Sequence, residues 1–245
     1  MIGIMDWGIG GISVYKAIRS RGYTTDVIYF SDSGFIPYGK TSKEEIRARL
    51  DKISAFYQTK NVSDVFVACN AASAALNADV EDFNGVNFHS IIPAGVKSVQ
   101  LNKGKRNGVI GGNLTMASGI YQNHLSKLSG EFVFAATQPL SALVEAGILE
   151  GAEPETVIAH LKNEFGSLNI LLLACTHYPA LTAVFKKYFP ETKILDPAEN
   201  FIPENFSTEG SNYLEFFTTG SAEQSVLSAN LAFGVKINQP HSIKI

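Results

Sequence analysis

The chain has 245 residues, 45% of them hydrophobic and 18% charged, with a formal net charge of -3. That apolar fraction and small charge exclude a disordered chain, and with no basic run nucleic acid is excluded as the main partner. The 2 cysteines cannot build a disulfide scaffold, no apolar stretch approaches a membrane span, and Met1-Ile2-Gly3-Ile4-Met5-Asp6 lacks the basic region of a signal peptide, so a soluble cytoplasmic protein is expected.

In chain order, residues 2–5 read as a strand, followed by the turn Gly8-Ile9-Gly10-Gly11 and a helix around 13–21. Residues 27–30 form a second strand. Ser42 with Glu45 makes a capping box ahead of Ile46, Leu50, Ile53 and Tyr57, which recur at helical spacing. Residues 64–68 read as a strand, 71–76 open a helix, and 89–92 read as another strand. Residues 100–107 are polar and basic, as in an exposed linker. Alternation then resumes with strand 108–110, helix 115–128, strand 131–135, helix 154–165, strand 169–174, helix 179–188 and strand 193–195. A loop-like stretch at 197–212 precedes strand 214–217 and helix 222–232. Strands alternating with helices at this spacing imply an α/β fold with parallel sheets covered on both faces.

One echo stands out. An apolar strand ends in Cys69 before a helix, and another ends in Cys175 before a helix. Ligands of parallel α/β sheets bind at the carboxyl ends of strands, where loops lead into helix N-termini. A helix N-terminus there favours thiolate over thiol, and Asn70, Thr176 and His177 can hydrogen-bond an anionic substrate or tune the sulfur. Two sulfurs facing one cleft can exchange protons with opposite faces of a single carbon, which inverts a stereocentre without a cofactor. Taken singly, either cysteine reads better as a small core hydrophobe; it is the strand–Cys–polar–helix context shared by both that points to chemistry. A metal site from Cys69, Cys175 and His177 is poor, because Cys-x-His is not a usual zinc spacing and a fourth ligand is missing. The turn at Gly8 and Gly10, with Asp32 further on, partly mimics a dinucleotide fingerprint. Its third glycine position is Ser13, and the acid Asp6 at the entrance repels a pyrophosphate.

These residues together resemble the glutamate racemase family, within the aspartate/glutamate racemase superfamily. The resemblance runs in the family's order through Asp6-Trp7-Gly8-Ile9-Gly10-Gly11-Ile12-Ser13-Val14, Asp32 with Pro37-Tyr38-Gly39, and Cys69-Asn70-Ala71-Ala72-Ser73-Ala74. It continues through Thr115, Leu143-Val144-Glu145, Cys175-Thr176-His177-Tyr178-Pro179, Asp196-Pro197-Ala198 and Phe217-Thr218-Thr219-Gly220. The resemblance implies two similar lobes, each a mainly parallel sheet flanked by helices, with the active site in the cleft between them. Their bounds would be 1–98 with 206–245, and 99–205. It implies a two-base racemase, independent of cofactor and metal, that interconverts L- and D-glutamate for peptidoglycan. Cys175 then resembles the base for the L-enantiomer and Cys69 that for the D-enantiomer, assisted by His177 and Asp6. Tyr38 and Gly39, with Pro37, resemble contacts to the side-chain carboxylate. Asn70, Thr115 and Thr176 would surround the α-carboxylate and amino group, and Asp32 and Glu145 would support them. The family commonly forms homodimers.

Two hydroxyls of the family pattern are absent. Trp7 stands where the family has Ser, and Ala71 where it has Thr. An indole is several times the volume of a serine side chain and has a donor but no acceptor. Loss of one substrate hydrogen bond costs about 1–3 kcal/mol if its partner stays buried and unpaired. The residues therefore also accommodate a superfamily racemase, isomerase or decarboxylase for another small carboxylic acid, or a catalytically silent binder of such an acid.

Overall fold

The computed structural model describes residues 1–102, 104–202 and 209–245. Its first half runs β1 (Ile2–Asp6), α1 (Ile12–Ser20), β2 (Val27–Ser31), α2 (Lys43–Thr59), β3 (Asp64–Val67), α3 (Asn70–Ala75), β4 (Val80–Phe83), β5 (Val86–Ser90) and α4 (Ile92–Asn102). The chain continues with β6 (Arg106–Gly111), α5 (Asn113–Ala117), α6 (Ile120–Leu125), β7 (Glu131–Ala136), α7 (Pro139–Glu145), α8 (Ala152–Phe165), β8 (Ile170–Ala174), α9 (Thr182–Tyr188) and β9 (Lys193–Leu195). Beyond these come β10 (Leu214–Thr218), α10 (Ala222–Phe233) and β11 (His241–Ser242).

The strands assemble into two sheets, ordered β11-β10-β2-β1-β3-β5-β4 and β7-β6-β8-β9. All pairings are parallel except β4 with β5. The central strands β1, β2 and β8 are buried at every position. That is why they read as continuous apolar runs rather than alternating ones. One apolar core joins the sheets, with Ile4, Val14 and Phe66 packed in the same cluster as Ile110, Leu171 and Leu173. In α2 the capping box forms as expected, and Ile46, Leu50, Ile53 and Tyr57 are buried on one face. Among the described residues no helix is long and apolar enough to cross a membrane.

Several expected bounds shift for local reasons. The strand expected at 89–92 is Val86–Ser90, and Ile92 already begins α4. The hairpin of β4 with β5 turns on Asn84 and Gly85, with φ of 55° and 84°, the left-handed pair that a tight hairpin requires. The linker expected at 100–107 is mostly regular structure: residues up to Asn102 complete α4 and Arg106 opens β6. The single helix expected at 115–128 is two helices, broken at Gly119 with φ of 69°. The helix expected from 179 starts as a tighter turn, Tyr178–Leu181, with Pro179 in its first positions. Within the stretch 197–212, Pro197–Asn200 is a 3-10 turn, and residues 203–208 lie outside the described residues, as does the expected return of the chain near 203–206.

Candidate active site

Strand register gathers the site. Asp6 ends β1 opposite Ser31, which carries Asp32 to the same edge. Met5 pairs with Val67, so Asp6 lies alongside Ala68 and Cys69. In the other sheet Gly111 pairs with both Ala136 and Ala174. This brings residues after 111, after 136 and after 174 to one carboxyl edge. The two edges face each other across a cleft with about 390 Å³ of empty space that opens to solvent. It is lined by Asp6, Trp7, Pro37, Tyr38, Gly39, Cys69, Asn70, Ala71, Thr115, Cys175, Thr176 and His177, all singled out from sequence. Ala174, Gly112, Gln138 and Ser141 also line it and were not. Asp32 and Glu145 stand one layer behind.

On the second sheet's side, Cys175 follows β8 and is half-buried. Its Sγ lies 3.8 Å from Nδ1 of His177, whose Nε2 lies 2.6 Å from Oε1 of Glu145. Burial would hold the imidazole neutral, but the Cys175 sulfur and the Glu145 carboxylate outweigh it and raise His177 well above the ordinary histidine value. Glu145 is itself held by the Ile9 backbone N–H at 2.7 Å. The glycine turn makes this approach possible. A Cβ on Gly8 would stand 1.9 Å from Oε1 of Glu145, and one on Gly10 would stand 2.7 Å from Nδ1 of His177. The turn's N–H groups at Ile9 and Gly11 go to Glu145 and Asp6, so these two are committed to carboxylates of the chain itself.

On the first sheet's side, Cys69 is buried and caps the six-residue helix α3. The helix N-terminus was expected to favour its thiolate; the structure reverses that. Burial, then the Asp6 carboxylate, push the Cys69 thiol well above its ordinary value, outweighing backbone N–H donors from Ala72 and Trp7. Asp6 is fully buried and accepts from Trp7 N at 2.8 Å, Gly11 N at 2.6 Å and Thr176 Oγ1 at 2.9 Å. Burial nonetheless raises its carboxyl, against the pull of His177. The Thr176 bond ties the two edges together.

Around these groups, Trp7 is half-buried and donates its indole N–H to the Phe35 carbonyl at 3.0 Å. It therefore offers the cleft a ring rather than a donor. Tyr38 donates its hydroxyl to Asp32 Oδ2 at 2.7 Å. Asp32 also pairs with Arg49 at 2.7 Å and accepts from Thr219 Oγ1 at 2.9 Å. Asn70 is buried, with its Oδ1 bonded to Tyr121 and its Nδ2 unpartnered among the described residues. Thr115 is buried on α5. Gln138 accepts from Asn113 N at 3.0 Å and donates to Ser141 Oγ at 3.1 Å. Their signal in sequence was a polar pair bracketing Pro139 directly after a predicted strand, where the carboxyl edge and a helix start coincide. Among the described residues no three His, Cys, Asp or Glu side chains are grouped to hold a metal ion.

No family model matches the chain. It is 38% identical over 246 residues to the glutamate racemase of Aquifex pyrophilus, covering 96% of this chain and 92% of the relative. The chain belongs to the glutamate racemase family. It is thus an isomerase of the amino-acid racemase class. Its fold agrees: a glutamate racemase isoform from Bacillus anthracis superposes with a TM-score of 0.87 at 25% identity, covering 100% of this chain and 97% of that one. The glutamate racemase of Francisella tularensis, solved in complex with D-glutamate, superposes with a TM-score of 0.84 at 23% identity, covering 99% and 97%.

Proposed function

We propose that the chain interconverts L- and D-glutamate by a two-base mechanism without cofactor, using Cys69 and Cys175. The observation that carries this reading is that both sulfurs line one cleft from opposite sheet edges, each beside its own acid–base group. With the L-enantiomer bound, the Cys175 thiolate takes the α-proton and becomes a thiol. The electron pair left on the carbon spreads into the α-carboxylate, and the Cys69 thiol gives its proton to the opposite face and becomes a thiolate. In the reverse direction the two exchange roles. One proton leaves the carbon and one arrives, so the substrate's charge is unchanged.

Such an α-C–H is a very weak acid, so preorganised donors must meet the developing negative charge. Asn70 Nδ2 is a buried donor free for this work, and Thr115 and Thr176 complete that end of the cleft. Tyr38 and Gly39 open a 3-10 turn after Pro37, and their backbone N–H groups, at its first positions, are the donors for the side-chain carboxylate. Asp6 and His177 serve the two thiols, and Asp32 and Glu145 hold Tyr38 and His177 in place. The lobes are residues 1–98 with 206–245, and 99–205. The enzyme works in the cytoplasm as a homodimer and supplies D-glutamate for peptidoglycan.

Incubating the chain with each glutamate enantiomer, followed by chiral analysis, tests this. Both should converge on a racemic mixture. Folded protein that leaves both unchanged would sink the reading. Conversion of another small carboxylic acid in the same assay would transfer the chemistry to that acid.

A further inference from the structure

The Asn70 amide is aimed by a residue from the opposite half of the fold. Tyr121 lies on α6 and is fully buried, and its hydroxyl donates to Asn70 Oδ1 at 2.8 Å. The same amide's Nδ2 is buried without a partner among the described residues, on a side chain that lines the cleft. We propose that Tyr121 is a positioning residue: its hydroxyl fixes the Asn70 amide with Nδ2 toward the cleft, poised to donate to a carboxylate of the bound amino acid. The inference rests on the racemase reading of that cleft.

An asparagine amide can turn over with almost no change in shape, exchanging a donor for an acceptor. Turned over, Asn70 would present its oxygen to an anionic substrate, which repels it. It would also set Nδ2 against the Tyr121 hydroxyl and take away that proton's acceptor. Burial, with Asp196 and Cys175 nearby, keeps the phenol protonated, so it remains a donor. Gly95 on α4 provides the gap through which it reaches. A Cβ there would stand 2.5 Å from the hydroxyl and 2.9 Å from Cε1 of the ring.

Steady-state kinetics on Tyr121→Phe, Gly95→Ala, Asn70→Ala and the double variant of positions 70 and 121 test the assignment. Tyr121→Phe should lower kcat/KM for glutamate about tenfold, mostly through KM, while its circular dichroism stays that of the wild type. Gly95→Ala keeps the hydroxyl but displaces it, and should fall in the same direction. In the Asn70→Ala background, Tyr121→Phe should add less than about twofold. A kcat/KM within about twofold of wild type for both Tyr121→Phe and Gly95→Ala, or an equal loss with and without Asn70, would overturn the assignment. A readout independent of turnover is the Asn70 side-chain amide pair in a proton–nitrogen spectrum, identified by its disappearance in Asn70→Ala. It should shift and broaden in Tyr121→Phe; an unmoved pair overturns the positioning role. If the wild type converts neither enantiomer, the racemase reading fails and this spectrum still decides the role of Tyr121.

Discussion

The two sides of the cleft treat the same thiol chemistry differently. Cys69 is 8% exposed, faces the buried Asp6 carboxylate, and its thiol is pushed up by burial and by that charge. Cys175 is half-buried, and its sulfur lies beside an imidazole held protonated by Glu145 and by the sulfur itself. One side favours a thiol that holds its proton; the other supplies a cation beside the sulfur. That arrangement matches the proton states a two-base racemase needs when it starts from the L-enantiomer, one sulfur deprotonated and the other protonated; the reverse direction needs the opposite states. Backbone shape alone would not reveal it, since both cysteines follow a parallel strand at the same kind of edge. The surroundings make the difference.

Removing either thiol breaks the comparison outright. Cys69→Ala and Cys175→Ala should each lose about 10²–10⁴-fold or more in racemisation, as expected for loss of a general acid or base. The check is chiral chromatography, and one unimpaired single variant would refute the pairing. Weakening one side sharpens the comparison. Glu145→Gln takes the charged partner from His177, and kcat/KM should fall about tenfold, the scale of one charge-assisted hydrogen bond. The enantiomers are equally stable in water, so kcat/KM must fall equally in both directions. The asymmetry should appear instead in the primary deuterium isotope effect, which should rise more from α-deuterated L-glutamate than from the D-enantiomer. The opposite order would assign the sulfurs the other way round.

A smaller effect belongs to the Cys69 side. Trp7 lends backbone N–H to Asp6 and fixes its indole on the Phe35 carbonyl, giving the substrate no side-chain donor. Trp7→Ser with Ala71→Thr should raise glutamate kcat/KM roughly 3- to 10-fold, about one restored hydrogen bond, and should lower Tm through lost packing. An unchanged kcat/KM would show that the indole is neutral toward glutamate. The smallest effect separates stability from catalysis. Asp196, beside the Pro197–Asn200 turn, accepts from Ala198 N at 2.9 Å, and burial pushes its carboxyl up to about 7. A folded value above the unfolded 3.8 means that the native state binds this proton more tightly. Its stabilising contribution is complete below the unfolded value and is lost as pH rises through about 7. Wild-type Tm should fall by several degrees across that window, at roughly 2–4 °C per kcal/mol, and Asp196→Asn should flatten the fall. An identical pH profile in the variant would remove Asp196 from the account.

Much of the fold was legible because its centre is buried on both faces. The strands expected at 169–174 and 2–5 read as apolar runs for that reason, and Ser42 with Glu45 announced α2 through local chemistry. The hairpin at Asn84-Gly85 carried a readable turn signal, yet the polar β4 obscured it. The positions of the two thiols and their neighbours were also legible, since strand ends fix which residues reach the edge. The charge state of Cys69 was not. It depends on burial and on Asp6, which is distant in sequence and adjacent only through the register of β1 with β3. The link from Tyr121 to Asn70 was hidden for the same reason: it is a contact across the fold, and Tyr121 is unremarkable in its own segment.

The most direct measurement of two opposed thiols is proton NMR of racemisation in D2O, started from L-glutamate and followed at low conversion. If each sulfur serves one face, the D-glutamate formed carries deuterium at its α-carbon while the remaining L-glutamate keeps its proton. Deuterium entering the unconverted L-glutamate as fast as the product, or D-glutamate formed with its original proton, would contradict the account.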